Sequence, residues 1–403
     1  MKKKILDTCV LSLQNLKAKP VRTACISIVA AILAFTLYVG SIIVVNLRQG
    51  LGAMTRRFGA DLMVVPKGAG KTAQSVLLGG ENGYFYFDAD VTKMIAGTAG
   101  IACASPQFFL ASLSTECCDA AVQLIAYDPA TDFVVQPWIA EKYSGSVGDG
   151  QLVAGSRISI QDNGSIKLFN HEYPVAARLS SSASGFDTSI FMTMNTMRQL
   201  IGLAHAENYN FLADKYGDRA ISAVLVKADQ MTDISVLAYT LGREIEDVEI
   251  LVSQKIFSSI ADALSGLLRY IRAFSVMIWA LALIVLAAMF SGFVHERKKE
   301  FALLRILGAT KKKLVAFVVI ESALAGIAGS AVGILLAALV VFPFSTMISE
   351  RLELPYLDAP IYRIILLTAG SLLLSVIVGP LASLCSAIRI SRVETYFTMR
   401  EGE

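Results

Sequence analysis

The sequence predicts a membrane α-helical bundle of four transmembrane helices joined to an extracytoplasmic mixed α+β domain, and three observations predict it. Hydrophobic residues make up 55% of the 403 and charged residues 17%, with a mean hydropathy of +0.58, whereas an ordinary globular domain carries roughly 25% charge. The apolar excess is concentrated in four uncharged runs, Thr23–Val45, Ala273–Val294, Ser322–Phe342 and Ile364–Ile388. Each is close to the roughly 20 residues that a helix needs to cross a hydrocarbon layer. A long segment of mixed composition separates the first two runs and is large enough to bury a core of its own. A buried core helix would account for one such run; four in a single chain call for a membrane.

The elements follow in order. Residues 1–22 form an N-terminal amphipathic segment, basic at Lys2, Lys3, Lys4, Lys17, Lys19 and Arg22, and 23–45 the first span. That run exceeds the roughly 7–15 apolar residues of a secretory leader, which predicts an anchor. Residues 46–270 are the large domain, 271–294 the second span, 295–313 a connecting helix, 314–342 the third span, 343–362 a short turn, 363–388 the fourth span and 389–403 a tail. Arg297, Lys298, Lys299, Arg305 and Lys311 to Lys313 fill the connecting helix, and Arg389, Arg392 and Arg400 follow the last span. Lys and Arg stay on the cytoplasmic side of a span, so both ends and residues 295–313 are expected in the cytoplasm, and 46–270 on the outer side of the membrane. The formal net charge of +3 has the same origin; the partner it implies is membrane lipid, and no nucleic acid is expected.

Within 46–270, five short β-branched or aromatic runs read as strands: Asp61–Val65, Ala121–Ala126, Ser165–Phe169, Ser189–Thr193 and Ala223–Val226. Thr196–Leu203 and Asp233–Glu246 read as amphipathic helices. Gly and Ser collect at Gly68–Gly83, Ser144–Gly150 and Ser180–Gly185, which predicts loops and a candidate boundary for an inserted subdomain. Ser253–Arg272 carries Ile256, Ile260, Ala263, Leu264 and Leu267 at helical spacing and is expected to run on into the second span as one helix.

The connecting segment carries Glu296-Arg297, Glu300-Phe301, Leu304-Arg305 and Leu307-Gly308-Ala309, followed by Glu321 inside the third span. On a helix Phe301, Leu304, Ile306 and Leu307 make an apolar ridge flanked by charges, and Gly308 suits a helix end that needs a left-handed residue. Alone, this is also a basic helix lying on anionic headgroups. The residue order, however, closely resembles that of the FtsX/MacB-like ABC permease family, as does the layout of one span, a large outer domain and three further spans. The stretch Arg57-Phe-Gly-Ala-Asp-Leu-Met-Val-Val-Pro-Lys-Gly resembles the family's passage into that domain. The resemblance implies that Glu296, Arg297, Glu300, Phe301, Leu304, Arg305, Leu307 and Gly308 form a coupling helix seated on an ATP-binding subunit.

Two further features lie in the third span. Glu321 is an ionisable side chain at a membrane boundary, a costly placement that marks function as often as not; the plainer reading is a snorkelling carboxylate paired with Lys311 to Lys313. Ala325, Gly329, Gly333 and Ala337 recur every four residues, leaving one face nearly bare for the close approach of another helix, within this chain or in a second copy.

Catalysis is not expected of this chain. Val65-Pro-Lys-Gly-Ala-Gly-Lys-Thr72 ends like a phosphate-binding P-loop, but Val65 stands where the first Gly belongs and no acidic Mg2+ partner follows. His occurs only at 171, 205 and 295, in no metalloprotease or hydrolase pattern. No cofactor is expected on the chain itself; ATP and Mg would be used by the partner. Cys103, Cys117 and Cys118 lie in the large domain and Cys9, Cys25 and Cys385 elsewhere, so three thiols cannot all pair within the domain. Neighbours on a strand point to opposite faces, which disfavours a Cys117–Cys118 bridge. That pair is either two small buried hydrophobes or a soft-metal or redox site.

The expected function is that of an ABC permease subunit passing ATP-driven motion to its outer domain to export or extract cargo. Expected partners are two copies of an ATP-binding subunit, a second permease copy or paralogue, and a periplasmic or extracellular adaptor or cargo protein. A scaffold that activates an outer-face enzyme, an iron-uptake accessory using Cys117 and Cys118, and a sensor without any ATPase remain as alternatives.

Overall fold

The computed structural model describes residues 8–112, 118, 122–141, 143–206, 212–296, 298–306, 308–351 and 355–391. In chain order the first elements are α1 (Thr8–Ala18), α2 (Pro20–Phe58), β1 (Leu62–Pro66), α3 (Gly70–Gly79), β2 (Phe87–Asp88), α4 (Asp90–Ala96), β3 (Ile101–Ala111), β4 (Gln123–Tyr127) and α5 (Val135–Ala140). Then come β5 (Leu152–Ala154), β6 (Ser165–Leu168), β7 (His171–Arg178), β8 (Ser189–Thr193), α6 (Met194–Ala206), β9 (Ala220–Ile221), β10 (Ala223–Ala228), α7 (Ile234–Glu244) and β11 (Val248–Val252). The chain continues with α8 (Ser253–Glu296), α9 (Lys298–Ile306), α10 (Lys311–Arg351) and α11 (Ile361–Ser391). It divides into a helical unit, Met1–Asn46, Ser265–Met347 and Ala359–Glu403, and a sheet unit, Leu47–Leu264 and Ile348–Asp358.

Four helices are long and apolar enough to cross a membrane, in the stretches Pro20–Phe58, Ser253–Phe293, Lys311–Ser345 and Ile361–Leu384. Pro20 opens α2 at the first helical position, where its missing N–H costs nothing. The small-residue stripe faces α2 of the same chain. A Cβ on Gly329 would come within 2.1 Å of the Ser27 carbonyl oxygen, and one on Gly333 within 2.2 Å of that of Ala31. Ser27 Oγ donates to the Ala325 carbonyl at 3.0 Å, and Ala337 packs with Ala34, Tyr38 and Ile42. Between α10 and α11 hydroxyls meet in pairs, Ser322 with Ser383 at 3.1 Å and Ser375 with Ser330 at 2.8 Å.

The sheet unit is built on nine strands in the order β11-β1-β10-β3-β4-β8-β5-β7-β6, with β2 and β9 paired separately. Pairing is antiparallel except for β4 with β8 and β5 with β7. One face buries Met63, Phe109, Ile125, Phe191 and Leu225 with Trp138 of α5. On the other, Phe108, Leu124, Ile190 and Met192 pack with α6 through Met197 and Leu200, while Leu62, Val64, Val224 and Val226 pack with α7 through Leu237 and Leu241. Burial on both faces explains why β1, β4 and β8 read as unbroken apolar runs. Asp233 caps α7 through hydrogen bonds from Ser235 N and Val236 N.

Five strands and two helices read from the sequence are present within a few residues. The longest strand, β3, is not among them, because Ser105 and Pro106 interrupt it. Pro106 fits because β10 pairs with residues 101–107 of β3 and β4 only with 107–111, so at Pro106 one side of the strand has no ladder to supply with an N–H. The segment Gly68–Gly83, expected as loop, contains α3, which ends on Gly80 at φ +73°. Residues 295–313 are not one helix: α9 ends at Ile306, Gly308 takes φ +92°, and α10 begins only at Lys311. The turn expected over 343–362 is shorter, since α10 continues through Pro343 to Arg351.

Gly333→Leu should therefore lower the thermal stability of the purified chain, because overpacking of this kind costs about 1–3 kcal/mol. Gly370→Ala, where a Cβ meets nothing within 4 Å, should not. Equal melting temperatures for the two variants would count against the α2–α10 seam.

Candidate functional site

The motif residues gather around α9. This nine-residue helix ends where Gly308 takes φ +92°. Gly308 N donates to the Arg305 carbonyl at 3.0 Å and Ala309 N to the Leu304 carbonyl at 2.9 Å, a Schellman end that only glycine adopts without strain. Thr310 then caps α10, its Oγ1 accepting from Lys313 N at 3.4 Å. Leu304 and Ala309 pack on Leu314, Phe317 and Val318 of α10, and Ala302 is buried. Leu303 and Ile306, three residues apart on the other side, are 57% and 63% exposed.

The apolar ridge expected over Phe301, Leu304, Ile306 and Leu307 is thereby corrected: Leu304 faces inward and Ile306 outward. Leu303 was missed, although a helical turn of 3.6 residues puts it on the side of Glu300 and Ile306. Glu296 is exposed, Glu300 Oε1 pairs with Lys19 Nζ at 2.7 Å, and Arg305 is half-buried. Arg297, Leu307 and the side chain of Phe301 lie outside the described residues.

Glu321 is 2% exposed. Its Oε1 accepts from Asn15 Nδ2 at 2.7 Å and lies 3.4 Å from Arg22 Nη2, and the Arg22 guanidinium stands 4.9 Å from the centre of the Phe293 ring. The pairing with Lys311 to Lys313 is overturned, for those side chains are exposed, while Arg22 is 8% exposed beside the carboxylate. A buried carboxylate needs a charge and a hydrogen-bond donor at contact, and α1 and α2 bring Asn15 and Arg22. Ser12 adds a hydrogen bond to the Phe317 carbonyl at 3.3 Å.

In the sheet unit, Arg57-Phe58-Gly59 turns the end of α2 toward β1. Gly59 has φ +63°, Phe58 is buried, and Asp61 Oδ2 accepts from Ala228 N at 3.0 Å. The P-loop-like segment holds an anion of its own: Glu249 Oε2 accepts from Gly68 N at 3.2 Å and Gly70 N at 3.1 Å. A carboxylate thus takes the backbone amides that a phosphate would need.

Cys118 is buried among Phe108, Leu110 and Leu168, and its Sγ accepts from Phe169 N at 3.4 Å. Cys117 lies outside the described residues. Among the described residues, no group of three or more His, Cys, Asp or Glu could hold a metal ion. The clearest electrostatic shifts fall in the core beside α5. Burial pushes the Asp132 carboxyl up, against the lowering effect of hydrogen bonds from Gln136 N and Val135 N. Burial, with the Asp132 charge nearby, also pushes the Tyr127 phenol up.

Residues 272–395, which include α9 and most of the last three long helices, match the FtsX-like permease C-terminal family. Over that segment, about the last third of the chain, the sequence is similar to the FtsX-like permeases. The chain is similar to the periplasmic region of MacB from Actinobacillus actinomycetemcomitans, with 10% identity, 51% of this chain and 95% of that chain covered, and a TM-score of 0.32. It is also similar to the extracellular domain of the noncanonic ABC-type transporter YknZ from Gram-positive bacteria, with 12% identity, 48% of this chain and 98% of that one covered, and a TM-score of 0.25. No curated protein matches the sequence.

Glu321→Met should lower the melting temperature of the chain, because it removes the carboxylate that Arg22 meets at 3.4 Å inside the bundle. Arg22→Met combined with Glu321→Met should lose much less, since two apolar side chains need no partners. Thermal unfolding of Arg22→Met, Glu321→Met and the double variant checks this; additive losses would refute a direct pair.

Proposed function

We propose that this chain is the permease subunit of an ABC machine in a bacterial plasma membrane, with both termini cytoplasmic, coupling ATP hydrolysis by a separate subunit to movement of its sheet domain. The observation that carries the reading is the shape of the α9–α10 connection. The end of α9, fixed by Gly308 and by Leu304 against α10, presents Leu303, Ile306 and Glu300 outward. An apolar pair beside fixed charge on a rigid helix is what a partner's cleft needs to push against. Seven basic residues between 297 and 313 support a cytoplasmic position for this helix, on the side where ATP is.

Two ATP-binding subunits would serve a pair of permeases, a second copy of this chain or a paralogue. Mg and ATP would bind the ATPases. The chain itself would transmit force and catalyse nothing, and cargo would be extracted or expelled on the outer side, aided by an adaptor or cargo protein there. The Glu249 carboxylate in the Gly68–Gly70 turn supports leaving nucleotide chemistry to the partner.

Leu303→Asp with Ile306→Asp tests the reading. ATP hydrolysis should co-purify with the tagged native chain from its own membranes and fall about ten-fold or more with the double variant, as expected when anchor residues worth about 2 kcal/mol are lost. The melting temperature should hold, because both side chains are exposed. Native chain without any associated ATP hydrolysis would refute the proposal.

A further inference from the structure

The sheet unit contains a cleft of about 480 Å3 that no step above uses. It lies at the carboxyl ends of the parallel strands β4 and β8. Their last residues, Tyr127 and Thr193, stand opposite each other; Asp128 and Pro129 then lead away from β4, and Met194 opens α6 after β8. Diverging connections at the ends of parallel strands leave a crevice where α/β proteins bind small ligands. Phe108, Met194, Met197, Ile201 and Ile221 give the cleft apolar walls. Its volume falls within the roughly 300–1,000 Å3 of small-molecule sites.

Charge selects the occupant. Asp128 accepts hydrogen bonds from Ala130 N at 3.0 Å and Thr131 Oγ1 at 3.2 Å. Asp149 accepts from Thr193 Oγ1 at 2.6 Å and Asn195 Nδ2 at 3.2 Å. All four donors are neutral, so they orient the two carboxylates without cancelling their charge, and among the described residues neither carboxylate has a cation within 4.0 Å. Asp218 adds a third carboxylate to the lining, against one guanidinium, Arg198, whose Nη2 donates to the Asp218 carbonyl at 3.3 Å; His205 is the remaining titratable group there. At the start of α6, Thr193 Oγ1 already accepts from Thr196 N at 3.1 Å, which takes one of the amides an anion would use.

We propose that this cleft binds a small amphiphilic organic cation, its apolar body on Phe108, Met197 and Ile201 and its ammonium held by Asp128 and Asp149. The site goes beyond the permease reading and does not depend on it.

Three probes with one apolar body test the proposal: 4-phenylbutylamine, 4-phenylbutanol and 4-phenylbutyrate. They are titrated calorimetrically into the full chain in zwitterionic lipid nanodiscs, with binding to empty nanodiscs subtracted. The amine should bind about ten-fold or more tightly than the carboxylate, and the alcohol between them. Asp128→Asn with Asp149→Asn should erase that order while keeping oxygen acceptors for Thr131 and Thr193. Gly202→Trp should abolish binding of all three without lowering the melting temperature, since Gly202 lines the cleft and a Cβ there meets nothing within 4 Å. Equal affinity for amine and carboxylate, or an amine affinity untouched by either variant, would overturn the proposal. Neither result bears on the ATPase test, which reads a different unit of the chain.

Discussion

Inside a bilayer, apolar side chains gain nothing by leaving lipid for one another, so the helical unit depends on how closely two backbones approach. Gly329 and Gly333 set that approach: their missing Cβ atoms bring α10 onto the Ser27 and Ala31 carbonyls of α2. At that distance dispersion contacts accumulate along the seam, and Ser27 reaches the Ala325 carbonyl. The serine pairs between α10 and α11 follow the same logic, since each hydroxyl finds its partner inside the bundle.

The seam also explains where charge is tolerated. With α2 held against α10, Arg22 meets Glu321, and α1 adds Asn15. Burying this pair gains little over an apolar pair of the same size, but it penalises any arrangement that separates the two. Lys19 meets Glu300 of α9 nearby, with both side chains well exposed; such a contact contributes little stability. The N-terminal helices therefore touch both α9, through Lys19, and α10, through Ser12, Asn15 and Arg22.

In the sheet unit, burial on both faces makes β1, β4 and β8 legible as apolar runs, and capping makes α7 legible from Asp233 onward. The same rules hid β3, whose polar half and Pro106 are accommodated only because β4 joins the strand late. They also misread Gly68–Gly83, where the glycines that suggested loop serve the turn before α3 and the close of it. In α9, residue order was enough to mark the segment, yet Leu303 was passed over because the ridge was drawn through Leu304 and Ile306. Those two are separated by a half-turn that local pattern weighs little and docking on α10 decides.

Length and polarity of the apolar runs determined four spans, because a bilayer admits few ways to satisfy a backbone, and the order of residues 296–321 determined the family resemblance. Tertiary structure alone decided which helix receives the glycine stripe, that Glu321 answers Arg22 and not the nearer lysines, and that Asp128 and Asp149, distant in sequence, share one cleft. Spans follow from local composition, which a single chain segment carries. Partners follow from which segments meet in space, and no local pattern encodes that.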